Sequence, residues 1–522
     1  MESQKQFFKK LRSNLISYLY LFFPPKEIIY ISQINSIFYK ALSNDFIWES
    51  FAKTEDLFIP SERESFSRWK DYFIYLTKLK TNLKSGKASL SFKMTPYRGH
   101  KSVITAVLPI PMSNGPYSVI ISGDEKGNVY TWNLDEDEDY EKVVICETGS
   151  SIVDIRLYNN DKVVFWNTEN EFYLYEVNVQ HYKNKAKIKN NGERFRLINH
   201  FTIDFGDKNI KIEQFQFDKE FTSIYVCSNF YDKYIFKDSH CIKLYSLITG
   251  KVIKIFDINY DINTKVKVRE LNFQEDLNLD LIKYPNKKTS CFAINSNFLY
   301  TFSNYDLQKF LILSRYDQKI KLPNVFAYNI RFGINYSFKI ELQYIFDVFI
   351  LTHNSNVCFF GINKANQTVL MEFKHESNDF KLEKSIIISP NTKKVEFLSY
   401  YNNVMNFLID NKSVSSIDML KFSPKKTVTF DYQQDNKVCN SYSSDKYRFV
   451  AGFSNNLIKV FNIQTGQMWY NLLGGSMTII PKSFISHPNY TGFHIIKLTR
   501  WSIVGVLGNL IREYSFKPTI KE

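Results

Sequence analysis

The sequence predicts an all-β propeller of eight blades, with seven as the alternative, preceded by a small α-helical domain and linker helices. Apolar residues of this 522-residue chain recur at three- and four-residue steps before residue 88 and mainly at two-residue steps after it. One strand-turn-strand unit recurs along the second part, which is typical of repeat architectures. Phe and Tyr number 46 and 34 against 8 Met, a balance that favours sheets over a helical bundle.

Composition restricts the class of protein. Hydrophobic residues at 44% and charged residues at 23% fit a folded globular chain, while 14 Pro and 18 Gly leave little room for long linkers. The six cysteines form no CxxC pair, which favours reduced thiols and a cytoplasmic, or alternatively nuclear, location. The apolar stretch 15–23 is followed by Pro24-Pro25 and not by a cleavage site, so we expect no signal peptide. No apolar run is long enough for a membrane span.

The basic charge does not predict a nucleic-acid partner. The net charge of +14 is spread along the chain. Its densest patch, within residues 183–196, lies in an Asn-rich stretch that is more typical of a solvated surface loop than of a phosphate site.

Helical periodicity dominates the first part of the chain. Two amphipathic stripes precede residue 43 and are separated by Pro24-Pro25, which breaks the first helix and begins the second. The stripes consist of Leu11, Leu15, Ile16 and Leu19, then Ile28, Ile31, Ile34, Phe38 and Leu42. A third helix is predicted from Trp69 to Leu83, with Gly86 at the position of a C-terminal cap. We assign 8–51 to a helical domain, 52–87 to a helical connector and 88–522 to the propeller.

The recurring unit of the second part ends in a strand with an aromatic residue, as in Val129-Tyr130-Thr131-Trp132. Eight such units average about 53 residues, which is long for a propeller blade but compatible with expanded loops. The segments 247–251 and 463–467 repeat one strand-turn-strand element. An open ring would leave sheet edges unpaired. We therefore expect the strand near Leu90–Pro96 to complete the blade that the C-terminal residues form up to about Phe516.

One unit resembles a known repeat. Gly99-His100, then Asp124 within Gly123–Gly127, then Trp132-Asn133 resemble the glycine-histidine to tryptophan-aspartate frame of a WD repeat. The resemblance implies that His100, Asp124 and Trp132 hydrogen-bond within the blade and hold its strands together. They would be structural residues rather than catalytic ones.

The N-terminal helices resemble a second family. The stretch 28–48, a helix followed by the polar turn Ser43-Asn44-Asp45 and a terminal Trp48, is similar to the second half of an F-box. Phe7-Phe8 stand where that family usually opens with Leu-Pro. In F-box proteins with WD-repeat propellers, the F-box is followed by a helix that contains a Trp and by a short Gly-containing segment. Here the helix begins at Trp69, and the segment is Leu83-Lys84-Ser85-Gly86.

This order of parts implies the substrate-recognition subunit of a Skp-cullin-F-box type ubiquitin ligase, not itself an enzyme, with an unidentified protein substrate. A Skp-family adaptor would contact the helices, and the apolar surface or its support would comprise Leu11, Leu15, Leu19, Ile31, Ile34 and Trp48. The alternative is a non-catalytic WD-propeller scaffold without a ubiquitin role, and a propeller hydrolase ranks third.

No motif for catalysis, cofactor or metal binding is apparent, and no cofactor is expected. Registering each unit on the WD frame places a set of residues in innermost strands: Asp154, Glu213, Arg269, Tyr328, Glu396 and Cys439. His353 precedes an outer strand in that frame. We select Arg269, Tyr328 and His353 as substrate-binding candidates. Arg269 is expected either at the mouth of the propeller channel or in a buried ion pair with Glu270 or Glu213. A single Arg does not predict a site specific for phosphorylated substrates, which usually contains several Arg side chains.

Overall fold

The computed structural model describes most of the helical region and the strands of the propeller. The described residues are 15–33, 36–55, 57, 63–64, 66–93, 99–111, 118–133, 141–158, 162–177, 195–203, 211–218, 223–232, 237–259, 267–270, 279–282, 290–294, 298–303, 324–329, 334–337, 340–351, 356–376, 379–390, 395–401, 404–410, 413–430, 439–445, 447–453, 457–473 and 492–518. No helix among them is both long enough and apolar enough to cross a membrane.

The helices lie at the start of the chain. Residues 15–20 are helical, and the described residues include the helices α1 Pro25–Ser32, α2 Ser36–Leu42, α3 Asp45–Thr54 and α4 Trp69–Ser85. Pro25 occupies the first turn of α1, where its missing N–H costs no hydrogen bond. The Asn44 side chain caps α3 by accepting from the Phe46 N–H. Gly86 ends α4 in the left-handed conformation with φ 71°, as predicted.

The remaining chain folds into antiparallel sheets, which we number along the chain. Sheet 1 contains β2 Ile104–Pro111, β3 Ser118–Asp124, β4 Asn128–Asn133 and β5 Glu141–Glu147. Sheet 2 contains β6 Ile152–Tyr158, β7 Lys162–Asn167, β8 Glu171–Val177 and β9 Phe195–Thr202. Sheet 3 contains β10 Lys211–Asp218, β11 Ser223–Asp232, β12 Lys237–Ser246, β13 Val252–Asn259, β14 Lys267–Glu270 and β15 Leu279–Ile282. Sheet 4 contains β16 Ser290–Ile294, β17 Phe298–Ser303, β18 Asn324–Asn329 and β19 Ile334–Ser337.

Four more sheets complete the described set. Sheet 5 contains β20 Leu342–Ile350, β21 Val357–Asn363, β22 Thr368–Glu376 and β23 Asp379–Ser389. Sheet 6 contains β24 Val395–Tyr401, β25 Val404–Ile409, β26 Ser413–Asp418 and β27 Ser423–Thr429. Sheet 7 contains β28 Cys439–Ser444, β29 Arg448–Phe453, β30 Leu457–Asn462 and β31 Met468–Leu473. Sheet 8 combines β32 Ile495–Leu498, β33 Ser502–Leu507 and β34 Leu510–Ser515 with β1 Ser89–Lys93.

The sheets are arranged as the blades of a β-propeller. First strands of successive sheets contact one another: β10, β16 and β20 in one run, and β24, β28, β32, β2 and β6 in another. Shared apolar clusters join sheet 2 to sheet 3 and sheet 5 to sheet 6. The fold class is therefore an all-β propeller with N-terminal helices. Eight blades, with seven as the alternative, stays a prediction, because stretches beside sheets 3 and 4 lie outside the described residues.

The predicted ring closure is confirmed for the described part of the first strand, which ends at Lys93. β1 pairs antiparallel with β34, placing Ser89 opposite Ser515 and Leu90 opposite Tyr514. The strand that precedes sheet 1 thus supplies the outer strand of sheet 8. Residues 94–96 of the predicted strand lie outside the described residues.

Two residues predicted in innermost strands lie elsewhere. Arg269 is in β14, which pairs with β13 at the outer edge of sheet 3, opposite Ile255. Tyr328 is in β18, the third strand of sheet 4. The prediction placed every unit on one WD frame of four strands. Sheet 3 has six strands, so positions in and after it are shifted relative to that frame. Asp154, Glu396 and Cys439 lie in the edge strands β6, β24 and β28, as predicted for innermost strands. Glu213 lies in β10, which pairs with β11 on one side and β15 on the other, so β10 is not the edge strand of sheet 3.

The closure predicts that Ser89→Cys and Ser515→Cys together form a disulfide. Directly opposed residues of an antiparallel pair have Cα atoms about 4.5–5.5 Å apart, within the range that a disulfide spans. Because the cross-link closes almost the entire propeller sequence into a loop, oxidation should stabilise the fold by on the order of 2–4 kcal/mol. Non-reducing electrophoresis detects the cross-link, and urea unfolding with and without reductant measures the stabilisation.

Ser515→Cys alone is the control, since it keeps the buried substitution without its partner. A double variant that stays reduced under conditions that oxidise exposed thiol pairs would contradict the β1–β34 pairing.

Candidate partner-binding surfaces

Sheet 1 contains a buried hydrogen-bond network between its strands. His100 Nδ1 lies 2.8 Å from Asp124 Oδ2, and its Nε2 lies 2.7 Å from Ser122 Oγ. Trp132 Nε1 donates to the same Ser122 hydroxyl at 2.8 Å. The Asn128 side-chain amide and backbone N–H also donate to Asp124. The predicted structural roles of His100, Asp124 and Trp132 are confirmed. Ser122 joins the network and was not predicted, since nothing in its surroundings marks it.

This network makes a testable prediction about acid stability. Burial alone would raise the pKa of Asp124, but hydrogen bonds from His100 and Asn128 outweigh it and lower the pKa to about 2. A depressed folded-state pKa contributes stability that is present above the unfolded value and is lost as pH falls through the folded value. The parent chain should therefore lose stability as pH falls from about 4 towards 2.5, and more steeply than Asp124→Asn. Urea midpoints measured across that range test this; parallel curves would contradict it.

Trp48 is a central side chain in the packing of the helices, whose apolar cluster continues into sheets 7 and 8. This side chain is 4% exposed, and its Nε1 donates to the Leu42 carbonyl at 2.8 Å. Its ring packs against Phe51 and Phe73, with centroids 6.3 and 5.5 Å away. Trp48 therefore supports the helices from inside and does not form part of their exposed surface.

An apolar surface lies outside this core, and we call it the helical apolar surface. In residues 15–22 the buried Ser17 and Tyr20 alternate with an exposed stripe at helical spacing, formed by Leu15, Tyr18, Leu19 and Phe22. The stripe continues onto α3, because the ring of Tyr18 lies 5.5 Å from that of Phe46. The surface comprises Leu15, Tyr18, Leu19, Phe22, Phe23, Ile29, Tyr30, Tyr39 and Phe46. Several large apolar side chains exposed on one set of helices are unusual for a chain that acts alone and mark an interaction site.

The predicted adaptor-binding residues divide into four groups. Leu15 and Leu19 are exposed in the stripe, while Ile31 is half-buried against the helical core. Trp48 is buried. Leu11 and Ile34 lie outside the described residues. The aromatic members of the helical apolar surface were not predicted as contacts.

The Asp45 carboxylate connects α3 to the N-terminus of α4. Asp45, the first residue of α3, accepts hydrogen bonds from the backbone N–H of Trp69 at 2.9 Å and of Lys70 at 3.3 Å. It thereby caps α4, whose own N-cap residue Arg68 supplies no side-chain cap. Lys80 and Glu55 add an ion pair of 2.7 Å between α4 and the end of α3.

We therefore expect Asp45→Ala to loosen the junction between α3 and α4. Loss of a helix cap costs about 1–2 kcal/mol, because the two N–H groups are left without their acceptor. Amide hydrogen exchange in α3 and α4 should accelerate by the corresponding factor, while exchange in sheets 1 and 2 stays unchanged. Asp71→Ala is the control: Asp71 is also in the first turn of α4 but is exposed. Equal acceleration in both variants would contradict the capping role of Asp45.

Helix α4 packs directly on the propeller. The Tyr470 hydroxyl donates to the Leu83 carbonyl at 2.8 Å, and the Asn82 amide donates to the Phe516 carbonyl at 3.1 Å. A Cβ at Gly86 would lie 2.5 Å from Cγ of Tyr470, so only glycine fits this contact. One apolar cluster includes both the helices and sheets 7 and 8. The position of the helical region relative to the propeller is therefore set by packing.

Two of the three predicted substrate-binding residues are in the described part of the chain, and they lie on different sheets. Arg269 lies at the outer edge of sheet 3 and Tyr328 in the third strand of sheet 4. Their side chains and the whole of His353 lie outside the described residues. The binding roles of the three residues stay predictions.

No family model matches the sequence, and no curated protein matches it significantly. Solved structures show similarity at low identity. The computationally designed Ika8 protein aligns with 13% identity over 80% of this chain and 97% of its own, with a TM-score of 0.45. Saccharomyces cerevisiae Sqt1 aligns with 10% identity over 82% of this chain and 99% of its own, with a TM-score of 0.42. The C-terminal WD40 domain of Sif2 aligns with 9% identity over 82% of this chain and 98% of its own, with a TM-score of 0.45.

The assignment of the fold rests on the chain's own features. Its antiparallel sheets contact one another through their first strands, its first strand pairs with the last sheet, and His100, Ser122, Asp124 and Trp132 form a buried network that resembles the one expected of a WD repeat. The chain contains an all-β propeller preceded by a helical region.

Proposed function

We propose that this chain is the substrate-recognition subunit of a Skp-cullin-F-box type ubiquitin ligase in the cytoplasm. The helical apolar surface binds the Skp-family adaptor, and the propeller binds a protein substrate. The protein carries out no chemistry itself. Its role is to hold a substrate at a fixed position relative to the adaptor.

The observation that carries the proposal is the stripe of Leu15, Tyr18, Leu19 and Phe22. Phe22, in the turn that follows the helical residues 15–20, is 84% exposed, although those helical residues bury Ser17 and Tyr20. Exposing such a stripe to water is unfavourable, and docking on an apolar partner surface removes that cost. Aromatic and Leu side chains presented from helices are also the usual anchors of a helix-in-groove interface.

The arrangement of the parts supports the same proposal. The helical apolar surface sits on helices that share an apolar cluster with sheets 7 and 8. A substrate bound by the propeller would therefore be held at a defined distance from the adaptor. The WD propeller fold itself favours a protein-interaction scaffold.

The alternative is a WD-propeller scaffold whose helices bind a different protein, without a ubiquitin role. Both functions need the helical apolar surface, so only the identity of the partner separates them. Direct binding to a Skp-family adaptor is the discriminating property.

Leu19→Asp tests the proposal. Leu19 is 51% exposed in the stripe, so its substitution should leave the helical core intact while placing a charge in the interface. Burying that unpaired charge should reduce co-purification of a co-expressed Skp-family adaptor by at least about tenfold. The measurement is the molar ratio of adaptor to tagged chain after affinity purification.

Leu382→Asp is the matched control, since Leu382 is 49% exposed but lies on β23 of sheet 5. It should recover the adaptor like the parent chain. A parent chain that recovers no adaptor, or a Leu19→Asp variant that recovers it fully, would contradict the ligase role and leave the scaffold alternative.

A further inference from the structure

Three charged residues lie on first strands at one level of the propeller. Asp154 and Arg156 are alternate residues of β6, and Lys497 is on β32. Both strands contact β2, which lies between them. The Thr105 hydroxyl on β2 donates to the Ile152 carbonyl at 2.5 Å, and His494 Nε2 lies 2.8 Å from the neighbouring Ile104 carbonyl. These contacts set the two flanking strands at the same level.

The two cations are not fully neutralised by the carboxylate. Arg156 Nη2 pairs with Asp154 Oδ2 at 2.6 Å, while Arg156 Nε is buried without a hydrogen-bond partner. Lys497 is partly exposed. Burial lowers the pKa of Lys497, Asp154 acts to raise it and Arg156 acts to lower it, so all three charges interact. With Arg and Lys cationic and Asp anionic, the cluster has one uncompensated positive charge.

We propose that Asp154, Arg156 and Lys497 form a carboxylate-binding site in the propeller, where an acidic side chain or a C-terminal carboxylate of the protein substrate is anchored. The ligand accepts hydrogen bonds from Lys497 Nζ and from the partly exposed guanidinium of Arg156, which Asp154 holds in place. This inference deepens the proposed function, on which it rests for the identity of the ligand as a substrate.

Charge balance selects the chemistry of the ligand. A carboxylate carries one negative charge and neutralises the cluster. A phosphate carries up to two, which together with Asp154 would leave an excess of negative charge at a partly buried site. Partial burial strengthens the attraction for the matching ion, because water screens it less than at the surface.

Lysine-methyl NMR of the full chain tests the site. After reductive ¹³C-methylation, Lys497→Arg assigns the Lys497 signal. Three probes are added separately: N-acetyl-glutamate amide for a side-chain carboxylate, N-acetylglycine for a terminal one, and inorganic phosphate. At least one carboxylate should shift the Lys497 signal saturably and move its titration to higher pH, since an anion favours the charged ammonium. The stronger of the two identifies the source of the carboxylate.

Two controls sharpen the test. Neutral N-acetyl-glutamine amide should give no shift, and the signal of Lys78, exposed on α4, should not respond to any probe. Arg156→Met should weaken carboxylate binding about tenfold, the loss expected for a charge-assisted hydrogen bond. Absence of a saturable shift, tighter binding of phosphate than of both carboxylates, or undiminished binding to Arg156→Met would overturn the proposal.

Failure of this site and failure of the ligase proposal are distinguishable. Adaptor co-purification with Lys497→Met should equal that of the parent chain, because Lys497 lies in the propeller and not on the helical apolar surface. If the parent chain binds carboxylate but no adaptor, the carboxylate site stands and the ligase role is wrong. If it binds adaptor but no carboxylate, the reverse holds.

Discussion

Pairing of β1 with β34 is the constraint on which the rest of the structure depends. A ring of sheets closes only if the last sheet obtains its outer strand, and here that strand comes from before sheet 1. Helix α4 ends at Ser85 and β1 begins at Ser89, so the closure fixes where the helical region must emerge. The helices consequently lie beside sheets 7 and 8, with which they share one apolar cluster.

Specific contacts between the end of α4 and sheets 7 and 8 fix the orientation of α4 on the propeller. Tyr470 packs on Gly86 and donates to Leu83, and Phe516 follows β34 directly and accepts from Asn82. Arg448 is 1% exposed and joins the same region, with Nε bonded to Asp445 and Nη2 to the Thr499 carbonyl. Because these groups are buried and hydrogen-bonded, moving the helices would expose both polar and apolar partners. The closure and the seating of α4 therefore depend on each other.

The sequence predicted the elements whose structure depends on residues close to one another in the chain. Helical spacing and Gly86 located α4, and the spacing of His100, Asp124 and Trp132 located the hydrogen-bonded unit of sheet 1. Arg269 and Tyr328 were misplaced, because short apolar strands carry no local mark of whether they are first or third in a sheet. Periodicity also indicated a stripe through Leu15 and Leu19 but could not show whether it faces a core. Ser122, Arg156 and Lys497 acquire their significance only from neighbours distant in sequence.

The two surfaces differ in chemistry, and that difference bears on how one chain could serve two partners. The helical apolar surface offers large side chains and few charges, so its affinity depends on apolar area and is little affected by salt. The cluster of Asp154, Arg156 and Lys497 offers charge in a partly buried setting, where a mismatched group costs more than a matched one gains. In the proposed function, the helical apolar surface would therefore serve the constant adaptor, and the charged cluster would serve discrimination among substrates.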